Sequence, residues 1–267
     1  MARAISFLER RFGVLPHGDF RAALAGASGP FDLPSPAPSV TNQRAAVRYV
    51  DDQIGEKCVE DSYDYLRHLA VGFSGARGSS TALYAAARAR TRARQTDPIA
   101  DFGSTVPDMQ DAACATGIPP RSPRDDDPNA VNQLETWEEL AGSATASRED
   151  FVPVDDGDLD TLDRWLTRLA GPGSPGGGFQ FVMPVTRQYQ RLAGRTIWTG
   201  PGDNDATVGL HAQAVIGYTG LSDDDAYEVW GTWGRFFADA GFAYVSRRYM
   251  RSLFNACLTV VKGGPVL

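Results

Sequence analysis

The sequence predicts an α+β protein of two lobes, with helices first and strands after. Three observations lead there. Apolar residues in the first half recur at the three- and four-residue spacing of a helix face. After the stretch GPGSPGGG at 171–178 they come instead in short runs rich in valine, isoleucine and aromatic residues. The two kinds of segment are not interleaved, which argues against an alternating α/β fold.

The elements follow in order. Ile5, Leu8 and Phe12 mark a helix over residues 3–14, and a shorter helical piece covers Phe20–Ala25. GASGPFDLPSPAPS is rich in Pro, Gly and Ser and reads as an extended connector. A boundary therefore falls near residue 39. It separates an N-terminal extension, 1–38, from one domain, 39–267, with a helical lobe at about 39–155 and a β lobe at about 156–267. Residues 58–71 form a helix with Val59, Tyr63, Leu66 and Ala70 on one face. The Ala- and Arg-rich stretch 80–95 is a second. A third, 106–117, opens after Gly103-Ser104-Thr105 and stops at Gly117. Residues 121–155 are polar and irregular, with a short helix expected at Asn132–Leu140. A fourth helix spans 158–170 and carries Leu159, Leu162, Trp165, Leu166 and Leu169 on one side. The glycine-rich loop at 171–178 then reads as a flexible connector between the lobes. Strands are expected in FQFVMPV, RTIWTG, HAQAVIGYTG, AYEVWGT, GFAYVS and ACLTVVK.

Composition narrows the function. The 267 residues carry a net charge of −7, with acids spread along the chain and no basic stripe. Nucleic acid and anionic membrane are poor partners for such a surface. No apolar run reaches membrane-spanning length. The N-terminal stretch lacks the apolar core of a secretory signal, so a cytoplasmic or particle-associated protein is expected. Heavy use of Ala, Arg, Gly and Asp suggests a GC-rich bacterium or its phage. Three separate cysteines, Cys58, Cys114 and Cys257, do not make a disulfide framework. None of His17, His68 and His211 has a Cys or His at metal-ligand spacing, so neither metal nor other cofactor is expected.

One cysteine stands out by position. Cys58 opens its helix, where the helix dipole and Lys57 would favour a thiolate. Asp52, Glu56, Glu60 and Asp61 oppose it. On this stretch alone, a small core residue at an acidic helix start explains Cys58 better. A thiolate nucleophile needs a base. His68 lies ten residues along the same helix, roughly 15 Å away at 1.5 Å per residue. His17 belongs to the extension. That leaves His211, at the start of HAQAVIGY.

Four segments carry a shared pattern: His211-Ala212, two variable residues, an apolar pair and Gly217-Tyr218; Gly231-Thr232-Trp233-Gly234 with Phe237-Ala238 and Gly241-Phe242; Asp52-Gln53 through Cys58; and residues 80–95 with GSTVPDMQDAACATGIPP. In their order along the chain they resemble papain-like cysteine peptidases, in a bacterial or phage branch. The first is similar to that family's histidine strand. Gly231-Thr232-Trp233-Gly234, Phe237-Ala238 and Gly241-Phe242 follow the register of its Asn-Ser-Trp-Gly strand and what comes after. Asp52-Gln53 through Cys58 resembles the segment leading to its nucleophile. Residues 80–95 and GSTVPDMQDAACATGIPP resemble its next two helices. The resemblance covers about 39–262. The 153 residues from Cys58 to His211 are close to the family's roughly 130–150.

The resemblance implies a papain-like two-lobe fold with a cleft between a helical lobe and an antiparallel β lobe. It implies Cys58 as nucleophile, His211 as base, Gln53 as oxyanion donor and Trp233 as a cover over the histidine. The substrate would be a peptide or protein. Two positions depart from the pattern. Gly231 stands where the family has the Asn that orients the histidine, and Gln53 lies five residues before the cysteine instead of six, with Asp52 at the sixth. The expectation is a weakened cysteine peptidase in which an Asn restored at Gly231 raises turnover. The alternative is a papain-fold protein that has lost catalysis and serves as a structural or binding component of a phage or bacterial particle, with residues 1–38 contacting the assembly.

Overall fold

The structure, a computed structural model, describes residues 32–41, 43–94, 103–127, 145–174, 176–253 and 256–264. The helices expected at 3–14, Phe20–Ala25 and Asn132–Leu140 lie outside the described residues. After a single turn of helix, α1 (Gln43–Ala46), come α2 (Cys58–Ala70), α3 (Ser80–Arg94) and α4 (Val106–Ala115). Thr105 caps α4 by accepting the Asp108 N–H at 3.0 Å, and Gly117 leaves it with φ +78°. The remaining elements are β1 (Phe151–Pro153), α5 (Leu159–Leu169), β2 (Gly178–Thr186), α6 (Arg187–Gln190), β3 (Ile197–Trp198), β4 (Thr207–Tyr218), β5 (Ala226–Trp230), β6 (Phe242–Ser246), α7 (Arg247–Ser252) and β7 (Thr259–Val261).

The strands form one seven-stranded sheet in the order β1-β7-β2-β4-β5-β6-β3. Every neighbouring pair is antiparallel except β3 with β6. Both faces are covered, so the strands read as nearly continuous apolar runs. Side chains nevertheless alternate between the two faces. Phe179, Phe181, Val215, Tyr227 and Val229 meet the Leu162, Trp165 and Leu166 stripe of α5. Val182, Ala214, Ile216 and Trp230 share the other core with Tyr63, Leu66 and Met109.

Two departures from the expected elements matter for the site. Helix α2 is buried on every side from Val59 to Ala70, not on one face alone. Its polar residues are paired with neighbours on or next to the helix and with partners from other segments. Asp61 takes the Lys57 ammonium at 2.7 Å, Asp64 takes Arg67 at 2.9 Å and the Gly78 N–H at 3.0 Å, and Glu60 takes the Ser104 hydroxyl. The glycine-rich loop is likewise a packed joint where a loose connector was expected. A Cβ on Gly177 would stand 2.7 Å from the Val261 carbonyl oxygen, and one on Gly178 would stand 2.0 Å from that of Val215. Only glycine lets β2 start this close to its neighbours.

Residues 32–40 lie along α5. Arg164 donates to the carbonyls of Leu33 and Pro34, Thr167 accepts the Ala37 N–H, and Val40 exchanges two backbone hydrogen bonds with Tyr218. This part of the predicted connector is therefore held by the chain's own β lobe.

Candidate active site

The candidate site forms where the start of α2 meets β4 and the turn after β5. Cys58 is the first residue of α2. Gln180 of β2 fixes that first turn: its amide donates to the Val59 carbonyl at 2.6 Å and to Ser62 Oγ at 2.7 Å, while Ser62 Oγ donates to the Cys58 carbonyl at 2.7 Å. On β4, pairing with β5 begins only at Ala214. The Ala212 N–H is left free and donates to Cys58 Sγ at 3.4 Å. Sulfur and His211 are thus brought to the same point of one strand, 153 residues apart in sequence. Among the described residues, no hydrogen bond joins Sγ to the His211 ring.

The loop before Cys58 pairs with the turn after β5. Gln53 N–H donates to the Thr232 carbonyl at 2.7 Å and Gly234 N–H to that of Asp51 at 2.8 Å. Thr232 Oγ1 lies 3.3 Å from His211 Nε2 and donates to Gln53 Oε1 at 2.8 Å, and Gln53 Nε2 donates to the Gly55 carbonyl at 2.7 Å. The Trp233 ring stacks on His211, centroids 4.3 Å apart. His211, Thr232, Gln53 and Trp233 are therefore in contact as one set. Thr232 is the member to which the sequence pattern assigned no role. Its signal was a hydroxyl directly after Gly231, in the turn that precedes Trp233.

The remaining candidates lie elsewhere. His68 is in the last turn of α2, where Nδ1 meets the Tyr49 hydroxyl at 3.1 Å. His17 lies outside the described residues. The side chain of Asp52 is exposed and lies beside Gly234, since a Cβ there would come 3.2 Å from Asp52 Cγ.

Electrostatics depart from the expectation of an activated thiol. Cys58 retains some exposure, but its pKa is pushed up to about 12, first by desolvation and then by Glu60, Asp61 and Glu56, against the Ala212 N–H. Lys57 does not offset this, because its ammonium is taken by Asp61 and Ser80 Oγ. Burial alone brings His211 down to about 3. Both groups are neutral through the physiological range.

Gly231 is closed in. A Cβ there would stand 3.0 Å from Phe237 Cδ1 and 3.2 Å from the Gly241 carbonyl oxygen. Phe237 cannot readily yield, being buried against Trp233 and Tyr189 at 4.9 and 5.6 Å between centroids. The expected gain from an Asn at this position therefore reverses. Gly231→Asn should cost about 1–3 kcal/mol in urea unfolding through overpacking, with no rise in turnover, because Thr232 already occupies the Nε2 side of the ring. Higher turnover at unchanged stability would show that Phe237 moves aside.

No protein-family model and no curated protein matches the chain. Solved structures do. The chain is similar to xylellain, a cysteine protease from Xylella fastidiosa, with 18% identity and a TM-score of 0.59 over 95% of this chain and 92% of that one. It is similar to the bromelain protease from Ananas comosus, with 12% identity and a TM-score of 0.54 over 86% and 99%. It is also similar to procathepsin B S9 from Trypanosoma congolense, with 16% identity and a TM-score of 0.56 over 97% and 88%. The fold is the papain-like α+β fold.

Proposed function

We propose that this protein is a cysteine peptidase of the papain-like kind, acting on a peptide or protein with Cys58 as nucleophile and His211 as base. The observation that carries the reading is the meeting of Cys58 Sγ with the backbone of the His211 strand, beside an imidazole held by Thr232 and Trp233. In the reaction, His211 Nδ1 takes the thiol proton as sulfur bonds to the peptide carbonyl carbon. The oxyanion is met by the Cys58 N–H at the start of α2 and by the second amide hydrogen of Gln53. The imidazolium then protonates the leaving amine as the C–N bond breaks, and water hydrolyses the thioester to regenerate the thiol.

The pKa values shape this chemistry. With the thiol near 12 and the imidazole near 3, no standing thiolate–imidazolium pair forms. Proton transfer accompanies attack, and turnover is correspondingly slow. Iodoacetamide should therefore alkylate Cys58 more slowly than a free thiol at pH 7, with a rate that climbs past pH 9. A plateau below pH 7 would contradict the neutral pair.

The function itself is tested with a fluorogenic peptide panel and an epoxide thiol probe. Hydrolysis and probe labelling should both disappear in Cys58→Ala and fall at least tenfold in His211→Ala. If the panel is left intact and His211→Ala does not change labelling, the peptidase reading fails and the non-catalytic binding or structural role takes its place.

A further inference from the structure

We propose that a one-directional hydrogen-bond chain, starting at the Gly55 carbonyl and running through Gln53 and Thr232, sets the tautomer of His211 with the proton on Nε2 and the lone pair on Nδ1. Gln53 and Thr232 are positioning residues in this scheme. Its mechanistic use, a base at Nδ1, rests on the peptidase reading, whereas the tautomer itself does not.

The direction follows link by link from what each atom can do. A backbone carbonyl only accepts hydrogen bonds. The group 2.7 Å from Gly55 O is therefore the Gln53 NH2, which settles the amide orientation and turns Oε1 toward Thr232. An amide oxygen also only accepts, so the single hydroxyl proton of Thr232 points to Gln53 at 2.8 Å. The face that Thr232 Oγ1 shows His211 Nε2, 3.3 Å away, is then a lone pair. It calls for an N–H on that nitrogen. A neutral imidazole carries one such proton, so Nδ1 is left bare. Burial keeps the ring neutral through the physiological range, so the tautomer is a defined property there.

The surroundings hold the chain in place. The Gln53 N–H to Thr232 carbonyl bond ties the two residues by their backbones as well, at 2.7 Å. Thr232 is buried, so water does not compete for its hydroxyl. Trp233 stacked on the ring keeps the imidazole from turning over. Residue 53 never touches His211, yet it decides which ring nitrogen is basic.

Long-range proton–nitrogen NMR on protein with 15N-labelled histidine reads the tautomer directly, with His211 identified by the resonance missing in His211→Asn. The wild type should show protonated Nε2 and bare Nδ1 at pH 7. Thr232→Val, close in shape, should give mixed tautomers, and Thr232→Ser should restore the original. Gln53→Met frees the Thr232 hydroxyl to donate to Nε2 and should move the population toward the Nδ1–H form. Residue 53 is partly exposed, so this variant keeps the test open if Thr232→Val folds poorly.

In kinetic terms, Thr232→Val should lower kcat about 10- to 100-fold with KM little changed, and serine should rescue it. A wild-type His211 protonated on Nδ1, or tautomers unmoved by both Thr232→Val and Gln53→Met, would overturn the proposal. The predicted tautomer response in a protein that cleaves no peptide would uphold the chain and count against the peptidase reading alone.

Discussion

Asp163→Ala is expected to destabilise the folded protein by about 3–5 kcal/mol. Asp163 sits on α5 and accepts both Arg247 Nη groups of α7 at 2.7 Å, with the Tyr227 hydroxyl of β5 donating to the same carboxylate at 2.8 Å. The two charged side chains are 2% and 5% exposed, so the loss of one strands the other in a medium that cannot solvate it. The cost comes from the orphaned guanidinium more than from the lost bond. The double change Asp163→Leu with Arg247→Met removes both charges and should recover most of the loss. Urea unfolding of the two variants checks this. A single-variant cost below about 1 kcal/mol would mean that water reaches the pair.

The second large effect depends on pH. Glu60, fully buried two residues after Cys58, has its pKa raised from 4.5 to about 8, chiefly by desolvation, with the Ser104 hydroxyl acting against the shift. The folded protein therefore holds a proton that the unfolded chain releases near pH 4.5. The stability associated with that proton is complete below 4.5 and is lost as pH rises through 8. The loss amounts to roughly 3–5 kcal/mol by pH 9. Glu60→Gln keeps the shape and the Ser104 contact without an ionisable group. It should match the wild type at pH 4 and exceed it at pH 9 in denaturant midpoint. Parallel pH dependence in the two proteins would show that Glu60 is ionised in the fold. The same titration bears on the site, because an ionised Glu60 is one of the charges that raise the Cys58 pKa.

Legibility differed from residue to residue. The helix starting at Cys58 and the stripe of α5 could be read because each is a local pattern of spacing. The strand holding His211 was equally plain, although it begins four residues earlier, at Thr207. Strand β1, three residues long, was missed because only its pairing with β7 makes Phe151–Pro153 a strand. Only one face of α2 read as apolar, and the burial of its charged side could not be seen because two of its partners, Gly78 and Ser104, come from other segments. Gly231 was read as a missing Asn. What closes the space is Phe237, and what meets the ring nitrogen is Thr232.

The sequence by itself determined the order of helices before strands, the cysteine at a helix start and the histidine at a strand, because these depend on spacing along the chain. Only the tertiary structure decided that thiol and imidazole are neutral, that Lys57 is spent on Asp61, and that Gln53 and Thr232 stand behind His211. Those properties depend on how much water each group loses and which donor faces which acceptor. Both are fixed by segments that meet only when the chain folds.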